Sequence, residues 1–98
     1  MHTEIKGVHM EVTDKVREHL DRQLHKIDFA RDMIIDLPFT FTKEKNNYAL
    51  EATIHFRWGS NAHISVSSFD VYEGMNSLID KIEYKVTREK EKIQEHNV

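Results

Sequence analysis

The chain is predicted to fold as a mixed α/β protein of the α+β type, a two-layer sandwich with two helices on one face of a four-stranded sheet. Two stretches place apolar residues at helical spacing, and three consecutive stretches alternate apolar with polar residues. These patterns are typical of half-buried helices and of strands with one buried face. The predicted element order is β-α-β-β-β-α. Because the strands are apolar on one side, both helices have to cover that side.

Residues 3–10 predict a short first strand, which Gly7 weakens. Thr13 is a candidate N-cap of the first helix, and Asp14 suits the positive end of the helix dipole. One apolar stripe follows at steps of four, four and three residues and consists of Val16, Leu20, Leu24 and Ile27. The stripe predicts a half-buried helix that reaches Ile27.

Three further strands are predicted between residues 35 and 66, joined by polar turns at 43–47 and 59–61. Their predicted core-facing residues are Ile35, Leu37, Phe39 and Phe41, then Leu50, Ala52, Ile54, Phe56 and Trp58 after Tyr48, and finally Ala62, Ile64 and Val66. Short turns between successive strands are typical of an antiparallel meander. Pro38 has no N–H to donate, so its strand either lies at a sheet edge or begins regular pairing after Pro38.

The second helix is predicted to begin at Asp70, because Asp70 and Glu73 form the Asp-x-x-Glu version of a capping box. Its apolar positions are Met75, Leu78, Ile79, Ile82, Val86 and Ile93. Gly74 and Asn76 are poor helix formers, so the pattern predicts the helix most clearly from Leu78 onward.

Composition excludes several classes of protein. The 98 residues are 39% hydrophobic and 32% charged, which fits one globular domain over residues 1–98. The absence of cysteine excludes disulfides, thiolate metal sites and thiol nucleophiles. No apolar run approaches the roughly 20 residues that span a bilayer, and the N-terminus lacks the features of a signal peptide. A cytoplasmic protein without a membrane partner is therefore expected.

Two rows of cationic residues are the main clue to function. The helix 1 row consists of Lys15, His19, Arg22 and Lys26, and the helix 2 row consists of Lys81, Lys85, Arg88 and Lys92. The shared spacing stacks each row along one side of a helix, where like charges repel. The chain as a whole has a net charge of −3, so two purely cationic rows mean that its surface charges are sorted by sign. A phosphate backbone or another polyanion is therefore an expected partner. A solvated helix face is the more common explanation of such rows.

The position of each row on its helix predicts how the rows face. At about 100° per residue, each row lies about a quarter-turn from the apolar stripe of its own helix, in the same rotational sense. If the helices run parallel, one row faces the groove between them and the other faces an outer flank. The rows would then form a broad basic face and not the two walls of a cleft.

No active site is evident in the sequence. His55 and His63 would lie opposite one another across a three-residue turn centred on Gly59, but no third metal ligand has a suitable spacing. The serines of the last strand lack the surroundings of a nucleophile, and three glycines do not make a phosphate-binding loop. We therefore expect that the chain is not an enzyme and that it uses neither a cofactor nor a small-molecule substrate. A small metal-binding or enzymatic protein that uses the two histidines is the alternative from that class.

Several short motifs are shared with one known family. They are Glu11-Val12-Thr13 with Arg17, Lys26-Ile27, Lys43-Glu44-Lys45, Glu51-Ala52-Thr53-Ile54, and Asp70-Val71-Tyr72 followed by Leu78-Ile79-Asp80-Lys81-Ile82. With them the chain resembles the ribosome hibernation promoting factor family, which includes the ribosome-associated inhibitor called protein Y. The resemblance extends from Ile5 to Ile93.

The resemblance implies a fold related to double-stranded-RNA-binding domains and a role without catalysis. It implies binding to the small ribosomal subunit and its rRNA across the mRNA and tRNA sites, so that translation is blocked and idle ribosomes are preserved under stress or in stationary phase. The length of the chain resembles the short form of the family, which lacks a C-terminal dimerisation domain and acts with a second small ribosome-dimerising factor. The alternative is a general double-stranded-RNA or protein-binding module of the same fold.

RNA contacts are expected from basic residues on the two helices. By position, the resemblance implies contacts from Arg17, Lys26, Lys81, Arg88, Lys90 and Lys92, and the geometry of the rows adds Arg22 and Lys85. The chain departs from the family at Tyr84, where an arginine is usual, and at Glu83 and Glu89, which add acid to the second helix. The 57–61 turn is also one residue longer than the corresponding turn of similar family members.

Overall fold

Four strands form one mixed sheet in the computed structural model, which describes residues 1–96 of the chain. The edge strand β1 (His2–Val8) is followed across the sheet by β2 (Ile34–Lys43), β3 (Tyr48–Phe56) and β4 (Asn61–Ser68). β1 runs parallel to β2, whereas β2, β3 and β4 form the predicted antiparallel meander. The predicted domain extends to Val98, and its last two positions lie outside the described residues.

Helices cover one face of this sheet. α1 (Asp14–Leu24) and a 3₁₀ helix (His25–Met33) connect β1 to β2, and α2 (Val71–His96) follows β4. A helical crossover is the usual connection between parallel neighbouring strands. The predicted α+β class and element order are confirmed, with the 3₁₀ helix as an addition.

The core lies between the sheet and the helices. Phe39, Phe41, Leu50, Ile54 and Leu78 are at most 1% exposed, and burial of such a side chain stabilises the fold by about 1.5–3 kcal/mol. Among the described residues, no polar or charged side chain is buried.

A β-bulge near the start of β2 overturns one prediction. The pairing of β2 with β3 shifts register between Ile34 and Asp36. Ile34 is 1% exposed and Ile35 is 52% exposed, so the prediction that Ile35 faces the core was wrong. The bulge adds one residue to the strand, which moves the alternation by one position and returns Leu37 to the core.

Pro38 lies in an interior strand. Because β2 pairs with both β1 and β3, the alternative that places Pro38 in an edge strand is wrong. Regular pairing with β3 resumes at Phe39, opposite Ala52, as the other alternative predicted. The missing N–H of Pro38 thus falls where the ladder to β3 is interrupted.

β1 ends at Val8, two residues earlier than predicted. His9 has a φ of 59°, a left-handed conformation that ends the strand. The chain then folds back over Gly7, where an added Cβ would overlap the carbonyl oxygen of Met10. Glycine is therefore required here by a close approach of the backbone.

α1 ends earlier than the apolar stripe predicted. Thr13 is the N-cap, as predicted, because its Oγ1 accepts a hydrogen bond from the Val16 N–H over 3.2 Å. The helix ends at Leu24, and Ile27 has non-helical angles of φ −111° and ψ 16° although its side chain is fully buried. Lys26 therefore lies on the 3₁₀ helix and not on α1.

α2 has half of the predicted capping box. Asp70 is the cap, since its Oδ1 accepts a hydrogen bond from the Tyr72 N–H over 2.7 Å. The N–H of Asp70 itself donates to the Ser68 hydroxyl over 3.2 Å, the role that the capping box assigns to Glu73. Ser68 at the end of β4 thus takes the place of Glu73 as the acceptor for the Asp70 N–H.

The two poor helix formers near the start of α2 have tertiary roles. A Cβ added at Gly74 would lie 2.8 Å from Leu50 Cδ1, so the glycine lets the helix approach the sheet closely. Asn76 contacts His19 of α1. The helix is continuous from Val71, and these contacts stabilise its first turns.

The turn between β3 and β4 differs from its prediction. β3 ends at Phe56, and Trp58 lies beyond the strand, 45% exposed, with its ring stacked on that of Phe56 at a centroid distance of 4.8 Å. Gly59 takes a φ of 91°, which favours glycine. Trp58 therefore covers the end of the core and does not extend the alternating pattern.

Candidate nucleic-acid interface

Two members of the helix 1 row contact α2 across the groove between the two helical segments. Nε2 of His19 lies 2.7 Å from Oδ1 of Asn76, and the Lys26 ammonium donates to Asp80 over 3.3 Å. His19 precedes Lys26 in the chain, and their partners Asn76 and Asp80 follow one another in the same order. The first helical segment and α2 therefore run parallel. The prediction that one row lies along the interhelical groove is confirmed at these two residues.

The helix 2 row lies on the outer flank of α2. Lys81 and Lys85 line a shallow groove together with Asn61, His63 and Ser65 of β4. Because β4 is an edge strand, this groove opens at one side of the molecule. The two rows thus lie on opposite sides of α2, as the rotation of each row predicted.

Arg17 is separated from the helix 2 row. It lines a surface depression with Thr3, Lys6 and Thr40, beside the edge strand β1. Lys81 and Lys85 lie beside β4, at the opposite edge of the sheet. The eight predicted RNA-binding residues therefore spread across the helix layer and do not form one compact patch.

The predicted residues differ in whether an acid already pairs with them. Within the part of the chain that the structure describes, Arg17, Arg22 and Lys81 form no ion pair shorter than 4.0 Å. All three are exposed. Their charges are available to a phosphate without the loss of an internal contact.

Glu89 neutralises part of the helix 2 row. Its carboxylate lies 3.1 Å from the Lys85 ammonium and 3.5 Å from that of Lys92, and its side chain is 15% exposed. Burial raises the pKa of Glu89, but the hydrogen bonds and charges of Lys85 and Lys92 outweigh burial and hold that pKa below its ordinary value. Glu89 therefore stays ionised near neutral pH and keeps both lysines paired.

We expect Glu89→Gln to increase the affinity of the protein for a polyanion by about two- to fivefold, because it releases two lysines from a partly exposed ion pair. Elution from heparin–agarose at a higher salt concentration would show this. Glu91→Gln is the matched control, since it makes the same charge change at an exposed position on the same helix. An equal shift for both variants would mean that net charge matters and the pairing does not.

Other partners of the cations were not predicted. Nη1 of Arg88 donates to the Tyr84 hydroxyl over 2.9 Å, and the Lys90 ammonium lies 5.5 Å from the centre of the Phe29 ring. The spacing of Tyr84 and Arg88 by four residues was a signal in the sequence. Lys90 contacts a residue of the 3₁₀ helix, and no pattern within α2 could have revealed that contact.

The two histidines of the β3–β4 hairpin are offset from one another. His55 pairs with Asn61 and His63 pairs with Thr53 across the β3–β4 ladder, so the two histidines are not opposite one another as predicted. The Phe56 N–H donates to the Ser60 carbonyl over 3.0 Å, so the turn is centred on Trp58 and not on Gly59, which moves the register. Over residues 1–96, the structure brings together no group of three or more side chains suited to hold a metal ion.

Membrane insertion through a helix finds no support in the described residues, where no helix combines the length and the apolar character that a bilayer span needs. The fold and the exposed cations define a small two-layer α+β protein whose helix layer carries two rows of cationic residues. A family profile described as Sigma 54 modulation protein / S30EA ribosomal protein matches residues 3–94. The chain belongs to this family, and the resemblance found in the sequence is confirmed.

Relatives of known name cover nearly all of the chain. The ribosome hibernation promoting factor of Escherichia coli is 29% identical over 96 residues, which are 98% of this chain and 100% of the relative. The ribosome-associated factor Y of Haemophilus influenzae is 30% identical over 79 residues, 81% of this chain and 73% of that protein.

Solved structures support the fold. A ribosomal subunit interface protein from Coxiella burnetii matches with a TM-score of 0.84 and 26% identity, covering 92% of this chain and 98% of that one. The N-terminal domain of protein Y from Thermus thermophilus matches with a TM-score of 0.79 and 19% identity, covering 90% and 98%, and supports the fold alone.

Proposed function

We propose that this protein is a ribosome hibernation factor that binds the small ribosomal subunit in the mRNA and tRNA channel, blocks translation there, and promotes or stabilises inactive ribosomes under stress or in stationary phase. The observation that carries the proposal is the similarity over 98% of the chain to a ribosome hibernation promoting factor that is itself covered completely. The similarity to a ribosomal subunit interface protein at 26% identity supports the coarser part, a ribosome-associated role.

The proposed mechanism is occlusion by a bound domain, with no covalent step and no cofactor. Lys and Arg side chains displace counterions from the phosphates, so most of the binding free energy is electrostatic and depends on salt. The planar guanidinium groups of Arg17, Arg22 and Arg88 suit bidentate phosphate contacts, whereas Lys81 acts as a point charge. A-form rRNA is recognised through its shape and backbone, which a broad layer of separated cations can follow.

The proposed partners are the small subunit, its rRNA and a second small ribosome-dimerising factor, in the cytoplasm. The proposed contacts are the eight predicted cations, Arg17, Arg22, Lys26, Lys81, Lys85, Arg88, Lys90 and Lys92. Arg22 and Lys81 are the strongest candidates from the rows, since both are exposed and form no ion pair within the described residues.

Co-sedimentation with purified small subunits tests the proposal. We expect binding at 50 mM salt that weakens by about 100-fold at 200 mM, the dependence that about four phosphate contacts produce. Binding that is absent at the lower salt concentration would contradict the proposal. Sedimentation profiles of stationary-phase ribosomes, with and without the protein, then test whether it favours inactive ribosomes.

The alternative is a general double-stranded-RNA or protein-binding module of the same fold. The pairing of Lys85 and Lys92 with Glu89, and of Lys26 with Asp80, favours the protein-binding form of this module, because these contacts lower the charge available to any RNA. The same sedimentation assay separates the two functions when an unstructured RNA and a plain RNA duplex compete with the ribosome. Equal affinity for the ribosome, the unstructured RNA and the RNA duplex would support the alternative.

A further inference from the structure

Tyr84 is an exposed aromatic residue within the helix 2 row. It is 65% exposed although the guanidinium of Arg88 lies beside its ring, with Cζ 5.6 Å from the ring centre. At least one ring face is therefore open to solvent. An aromatic ring in this position contributes nothing to the core, so its burial by a ligand would gain apolar contact that the free protein lacks.

The Arg88 guanidinium is held at the hydroxyl end of this ring. Nη1 donates to the Tyr84 Oη over 2.9 Å, so two flat π-systems lie together on the surface of one helix. The hydrogen bond restricts the arginine rotamer before any ligand arrives. A preorganised pair loses less side-chain entropy on binding than two free side chains.

Lys81 places a positive charge beside this pair, on the side toward the start of α2. Lys81 lies three residues before Tyr84, is exposed, and forms no ion pair within the described residues. The nearest acid one turn back along the helix is Asp80, whose carboxylate the Lys26 ammonium contacts at 3.3 Å. A phosphate linked to a base on the Tyr84 ring would therefore lie near the ammonium of Lys81. The nearby carboxylate of Asp80 is already paired with Lys26.

We propose that Tyr84 and Arg88 form a stacking site for one unpaired base of single-stranded RNA, with Lys81 contacting an adjacent phosphate. This inference rests on the proposed function and specifies one of its RNA contacts. Aromatic rings and guanidinium planes stack on unpaired bases, whereas bases within an A-form duplex present no free face to a side chain. The site therefore selects a splayed nucleotide and not a helical stem.

The test compares a single-stranded RNA oligonucleotide that carries one 2-aminopurine with a blunt duplex of the same length. Loss of one base stack weakens binding about 5- to 100-fold. We expect Tyr84→Ala to weaken single-strand binding by that factor and to abolish the quenching of 2-aminopurine, while duplex binding changes less than about twofold. Tyr84→Phe keeps the ring and is expected to retain the quenching.

Phe69→Ala is the matched control, because Phe69 is an 86% exposed aromatic residue next to the start of the same helix. It is expected to leave both RNA affinities unchanged. An equal loss for single strand and duplex in Tyr84→Ala, or quenching that persists without the ring, would overturn the stacking site.

The same proteins also separate this inference from the proposed function. Ribosome co-sedimentation that persists while the wild-type protein fails to quench 2-aminopurine refutes the stacking site alone. Quenching that depends on Tyr84 in a protein that does not sediment with small subunits at low salt supports the stacking site and refutes the proposed function. Melting temperatures of the variants within a few degrees of the wild type confirm that each has folded.

Discussion

Replacement of Lys81, Lys85 and Arg88 together by glutamate is expected to reduce the affinity for small ribosomal subunits by at least about 100-fold, because it removes three of the proposed phosphate contacts and places three repulsive charges in their position. The variant should nevertheless fold. Lys81 and Arg88 have no acidic partner among the described residues, and the partly exposed Lys85–Glu89 pair is worth about 1 kcal/mol. Co-sedimentation at low salt measures the loss of binding.

The matched control is the triple replacement of Lys6, Lys45 and Arg57 by glutamate. It makes the same change in net charge at exposed positions outside both rows. We expect this control to retain most of the binding. A comparable loss in both variants would show that total charge, and not the helix 2 row, governs binding. A loss of unfolding free energy above about 2 kcal/mol in the first variant would instead indicate a structural role for the row.

Ile34→Ala is expected to destabilise the protein by about 2–5 kcal/mol, whereas Ile35→Ala is expected to cost less than about 0.5 kcal/mol. Both variants delete the same atoms from neighbouring residues of β2. Ile34 is 1% exposed, so its truncation leaves a cavity in the core, and Ile35 is 52% exposed. Urea denaturation of the two variants measures the difference.

The pair of isoleucine variants is a direct test of the β-bulge. Without the register shift between Ile34 and Asp36, the alternation that places Leu37 in the core would place Ile35 there as well. A larger cost at Ile35 than at Ile34 would therefore contradict the bulge. Equal costs would mean that the two side chains are equally buried, which would also contradict the bulge.

Local patterns predicted most of the elements correctly. Thr13 and Asp70 were identified as helix caps because a cap acts on the N–H groups of the next two or three residues. The alternation from Phe39 to Phe41 and from Leu50 to Phe56 predicted the buried face of the meander. These signals depend on neighbours within one turn or one strand, so a single sequence contains them.

The errors arose where distant segments compete with the local pattern. Ile27 continues the apolar stripe of α1, yet the chain leaves the α-helix after Leu24 and buries Ile27 through a 3₁₀ helix. Ile35 follows the alternation and is displaced by a bulge in its pairing with β3. Periodicity records which residues are apolar, and the partner segment decides which of them reach the core.

The candidate interface shows the same division. The two rows and their rotational sense were visible in the spacing of the cations, and the parallel helices then place them on either side of α2. The sequence could not show that Lys26 pairs with Asp80, because 54 positions separate them. Nor could it show that Arg17 lies at the β1 edge, away from Lys81 beside β4.

The sequence by itself determined the α+β class and the order of the elements, because both follow from residue type and short-range spacing, and its motifs resemble the family that the profile match confirms. The tertiary structure alone decided the bulge in β2, the end of α1, the offset of His55 from His63, and which cations are already paired. These features depend on the packing of segments far apart in the chain, where the burial of apolar area and the pairing of charges set the register.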